Sequence, residues 1–138
     1  GQAIAVTGVA QVGISGLAKV QYLVSPKDVP LPPDDPYLTT APWQDADILP
    51  PPERWTNLPD GRLPEVPSQF DPATGRPRQW PLRYTLAHWA VLAPPLAAGK
   101  YDLRCRTIDA AGQAQPMPRP FAKSGRNSIQ RMTLTVDA

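Results

Sequence analysis

Cys105 and His88 are the only cysteine and the only histidine in the chain. A thiol acts as a nucleophile once a base takes its proton, and imidazole is the usual base. Both residues lie in strand-like runs, and Cys105 reads as a buried structural thiol rather than a reactive one. A single cysteine also excludes an intramolecular disulfide and a cysteine-based zinc site. The carboxylates Asp34, Asp35, Asp45, Asp47 and Asp71 lie in or beside proline-rich stretches, where Asp is a turn former before it is a metal ligand. With no other nucleophile–base pair or ligand cluster in view, the chain reads as no enzyme by itself, with no cofactor and no metal of its own.

The elements that position these residues are strands. Twenty of the 138 residues are proline, and seventeen of those fall between Pro26 and Pro95. Proline removes a backbone donor and breaks helix interiors. No proline-free segment longer than about ten residues carries helical apolar spacing, so helix content is expected to be low. At 41% hydrophobic, the chain is too apolar for wholesale disorder. A net charge of +2, with 19% charged residues, is too mild and too dispersed for a nucleic-acid surface. No apolar run of about eighteen residues is present to span a membrane, and the N-terminal segment lacks the basic start of a signal peptide. Gly1, where an initiator Met would stand, reads as a domain boundary within a longer protein.

Six segments alternate with period two: 3–10, 17–25, 42–49, 82–92, 100–108 and 128–136. In 17–25, Val20, Tyr22 and Val24 share a face. In 82–92, Thr85, Ala87, Trp89 and Val91 oppose Tyr84, Leu86, His88 and Ala90. In 100–108, Tyr101, Leu103 and Cys105 form an expected core face against a wet face of Asp102, Arg104 and Arg106. In 128–136, Met132, Leu134 and Val136 align. Such alternation marks antiparallel sheet with one face buried. Stacked face to face, such strands make a β-sandwich.

Two proline-rich insertions, 26–41 and 50–81, interrupt the strands with turn signals such as "PDGR" and "DPATGR". A long unstructured loop is unusual in a small domain. Trp55, Phe70 and Trp80 mark the second insertion as ordered, lying over the sandwich or against a partner.

Within "LAAGKYDLRC", Tyr101 stands where immunoglobulin-like sandwiches place a tyrosine whose hydroxyl folds back to the chain just upstream. Leu103 takes the position of the antibody cysteine. The expected fold of residues 1–138 is therefore one all-β, immunoglobulin-like (E-set type) antiparallel β-sandwich, free of disulfides, with long proline-rich insertions.

The chain resembles the C-terminal dimerisation domain of the sulfite oxidase family of molybdopterin-dependent oxidoreductases. Gly8, Ala10 and Gly13 match a G-x-A-x-x-G start, and Val20 to Ser25 approximate a V-E-V-S-like strand. Trp43, Ala46 and Leu49 approximate a T-W-x-x-A-x-L segment, with Pro42 in place of the threonine and the leucine one position later. The most specific stretch is matched by Gly99, Tyr101, Leu103, Arg106, Asp109, Gly112, Gln115 and Pro116. The resemblance covers 3–25, 42–50 and 82–136.

The resemblance implies a non-catalytic role. The partner would be the molybdopterin-binding catalytic domain of the same polypeptide, with homodimerisation as a second association. Molybdopterin and molybdenum would belong to that other domain. A periplasmic or exported parent is compatible with it. The connection after Asp109 would face the catalytic domain, where relatives carry a Trp-Asn pair and an arginine. Here Phe121 and Ala122 replace the pair and Ser124 replaces the arginine, with Arg119, Lys123 and Arg126 close by. The residues expected at partner surfaces are Trp43, Trp55, Trp80, Arg119, Phe121, Lys123 and Arg126. The competing reading is an extracellular immunoglobulin-like module that binds carbohydrate or protein through the Trp- and Pro-rich insertion.

Overall fold

The computed structural model describes residues 2–52, 69–71, 73–116 and 128–137. These residues form seven strands and no helix: β1 (Ile4–Ala10), β2 (Leu17–Pro26), β3 (Gln44–Ile48), β4 (Ala87–Ala93), β5 (Gly99–Asp109), β6 (Ala114–Gln115) and β7 (Gln130–Val136). All pairings are antiparallel, in the order β1-β4-β3-β2-β5-β6, with β7 also on β5.

β3 turns this path into a curled sheet. Its first half pairs with β2, placing Ala46 opposite Val20, while its second half pairs with β4, placing Asp47 opposite Ala90. The β1–β4 ladder is thereby carried over the β2–β5–β7 ladder. Val20, Leu17, Ala87 and Trp89 meet in one buried cluster, and Tyr22, Ala93 and Leu103 in a second, with Val6, Val91, Ala46 and Cys105 touching both. Alternation in the sequence supplies these inward residues, and burial of their apolar area drives the closure.

The strand expectations need four corrections. β4 begins at Ala87 rather than at residue 82. Tyr84 adopts φ 61°, a left-handed conformation that no strand residue takes, and Thr85 bonds back to the Leu82 carbonyl. A seventh strand, β6, follows the turn after Asp109. Met132 is 56% exposed although it shares a face with Leu134, because β7 lies at the edge of the sheet.

The fourth correction concerns charge. Asp102 and Arg104 are not wet: they are 1% and 5% exposed. The first proline-rich insertion lies on this side of the sheet and forms a cover there, with Leu31 and Pro36 beside Arg104 and with Tyr37 and Thr39 beside Arg106. Asp35 accepts the backbone N–H groups of Thr39 and Thr40, holding this cover in a turn.

In the second insertion, Asp71 does the same work for the turn at 73–76, accepting the Ala73 N–H at 3.0 Å. Asp45 is no turn former. It sits in β3 and binds Lys19 at 2.6 Å and Gln21 at 2.7 Å.

Candidate functional site

β5 carries the most distinctive stretch of the chain, and its two ends are built differently. At the start, Tyr101 donates its hydroxyl to the Ala97 carbonyl at 3.0 Å, closing the chain back on itself; the ring is half-buried. At the finish, Asp109 accepts the N–H groups of Ala111 and Gln113, both at 2.9 Å. Gly112 completes the turn at φ 81°, where a side chain would be strained. The Gln113 N–H, foremost among the bonds to Asp109, holds its carboxyl below the usual carboxylate range.

Beyond that turn the edge of the sheet is interrupted. β2 occupies one edge of β5 along its length, so β6 and β7 share the other. Gln115 of β6 lies opposite Thr107, and Gln130 of β7 lies opposite Cys105. Two residues along a strand span about 7 Å. Pro116 and Ile129, which flank the excursion 117–128 in the sequence, therefore stand at nearly the same point of the sheet. Both residues line one cavity of about 270 Å³ with Arg106, Tyr37 and Thr39. Arg119, Phe121, Lys123 and Arg126 fall on this excursion and lie outside the described residues, as does Trp55.

Arg106 links the excursion's base to the covering segment. Its guanidinium stacks over Trp43, 4.3 Å from the ring centre, and its Nε donates to Gln21 at 2.8 Å. Burial lowers its pKa, and Asp35 pulls in the opposite direction. Trp43 is half-buried and gives its N–H to the Leu38 carbonyl at 2.7 Å. Trp80 packs on the core and donates to the Leu49 carbonyl at 2.8 Å. Both tryptophans serve contacts within the chain.

The large exposed side chains lie elsewhere. Among them, Val9 (53%) and Leu92 (73%) stand on the outer face of the β1–β4 ladder, with Leu86 (59%) just before β4, and among the described residues the other edge of β1 is unpaired. Alternation predicts that these positions point outward, but their apolar character was not singled out as a surface.

Cys105 and His88 do not meet. His88 pairs with Val9 on the outer face of β4, while Cys105 packs on the core, and burial pushes its thiol up to about 11. Among the described residues no group of three His, Cys, Asp or Glu side chains could hold a metal. No described helix is long and apolar enough to cross a membrane. No protein-family model matches the chain, and no curated protein matches it.

Proposed function

We propose that the chain is a non-catalytic, immunoglobulin-like (E-set type) domain that supports and dimerises a sulfite oxidase-like molybdopterin oxidoreductase. The observation that carries this reading is the architecture of residues 99–116. A tyrosine hydroxyl folded back to Ala97, an Asp109-capped turn and a split edge strand occur at the positions that bear the resemblance. The split edge supports a partner surface here, since Pro116 and Ile129 stand at nearly the same point of the sheet. The apolar outer face of β1 and β4 would supply a second contact, for a neighbouring domain or a second copy.

The cofactor would reside in the separate catalytic domain. Cys105 does not fit a molybdenum thiolate, because it packs on the core with its thiol pushed up to about 11. The rival reading, an extracellular module that binds carbohydrate or protein through the Trp- and Pro-rich insertion, is weakened at Trp80, which packs on the core and donates to the Leu49 carbonyl.

Hydrogen exchange of residues 113–126, compared between this chain and its full-length parent, tests the proposal. Slower exchange in the parent is expected. Equal exchange in both would remove the excursion from any interdomain contact, and a gene lacking an upstream molybdopterin domain would end the reading.

A further inference from the structure

Arg104 of β5 and Arg131 of β7 are direct cross-strand partners. Like charges set opposite each other in a sheet repel. One carboxylate answers both: Asp102 Oδ2 lies 3.1 Å from Arg104 and 3.8 Å from Arg131. Two guanidiniums against one carboxylate leave a positive charge uncompensated. Asp102 itself is buried and does not line the space the arginines face.

That space is a cavity of about 410 Å³. Arg104, Arg131, Ser128 and Gln130 supply its polar wall, and Leu31 and Pro36 an apolar one. Among the described residues, the Ser128 hydroxyl and the Gln130 amide make no side-chain hydrogen bond. Arg104 is held in place, donating one nitrogen to Ser25 Oγ at 2.9 Å and another to Asp102. The cavity thus combines a fixed, desolvated guanidinium with a second, largely exposed one, and among the described residues no acidic side chain lines its wall.

We propose that this cavity binds a small oxyanion of the phosphate or carboxylate class between Arg104 and Arg131. The planar fork of a guanidinium matches two oxygens of such an anion. Exclusion of water around Arg104 strengthens the attraction relative to an open surface. The bound anion relieves the Arg104–Arg131 repulsion. The site is independent of the domain's proposed place in a larger enzyme.

Thermal unfolding of the 138-residue chain, titrated with inorganic phosphate against sodium chloride of equal ionic strength, tests this. A saturable rise in Tm beyond the chloride control is expected. Arg131 has a 60% exposed side chain, so Arg131→Gln leaves the fold intact, and it should raise the phosphate midpoint at least tenfold. Arg131→Lys, which keeps the charge but loses the fork, should fall between. A parallel titration with acetate assigns the class: a rise with acetate alone marks a carboxylate site, and with phosphate alone a phosphate site. The proposal is overturned if neither anion exceeds chloride, or if Arg131→Gln responds like the parent.

Discussion

The indole of Trp89 lies across the backbone of Gly8: a β-carbon at Gly8 would stand 2.6 Å from the ring. The two residues are paired partners in the β1–β4 ladder, and Trp89 is 5% exposed within the core. The ring cannot move without disturbing its neighbours, so the small residue is required by contact. Gly8→Ala should destabilise the fold by about 1–3 kcal/mol, the usual cost of overpacking. Urea unfolding reads this directly, and an unchanged midpoint would mean that the ring yields.

Tyr101→Phe removes the hydroxyl that reaches Ala97 and leaves the ring in place. A loss of about 1 kcal/mol is expected, the net worth of one such hydrogen bond. Equal stability of the two proteins would show that the closure is ornamental.

Asp102 and Arg104 form an ion pair with side chains 2% and 6% exposed. Removing one partner strands the other in a dry site. Asp102→Ala should cost about 3–5 kcal/mol. Replacing both by apolar residues of similar size should recover much of that loss. A double-mutant cycle measures the coupling, and additive single effects would contradict it.

The Cys105 thiol, pushed up to about 11, is almost wholly protonated at ordinary pH. At pH 8 roughly a thousandth of it is thiolate. Thiol reagents should label the native protein slowly and the unfolded protein fast. Comparable rates would place the sulfur outside the core.

Asp109 titrates below the ordinary value of 3.8 because its carboxylate accepts backbone N–H groups in the folded state. A depressed folded pKa makes the charged form stabilising, so its contribution is complete above the unfolded pKa. It is lost as pH falls from near 4 through the lower folded value. Stability measured between pH 7 and pH 2 should drop over that window, and Asp109→Asn should flatten the drop. Asp35, Asp45 and Asp71 are lowered as well and contribute to the part that remains.

Period-two alternation was enough to locate six of the seven strands and to sort residues of β2, β4 and β5 by face, because it reports which residues share a side of a pleated chain. The turn at Asp109–Gly112 was legible for a local reason as well: Asp bonds nearby amides and Gly accepts positive φ. β6 was harder to see, since two residues carry no period and only pairing with β5 defines them as a strand.

Alternation cannot say what covers a face. Asp102 and Arg104 alternate with Leu103 as solvent-facing residues should, yet both are buried, because they pair with each other and residues distant in sequence meet them there, Ser25, Leu31 and Pro36 at Arg104 and Arg131 at Asp102. The pairing of β3 with two different strands, and the shared edge that brings Pro116 back to Ile129, depend likewise on contacts between remote segments. Local propensity and spacing determined that this chain would be antiparallel β structure. Long-range pairing alone decided that two arginines would face one another beside a single carboxylate.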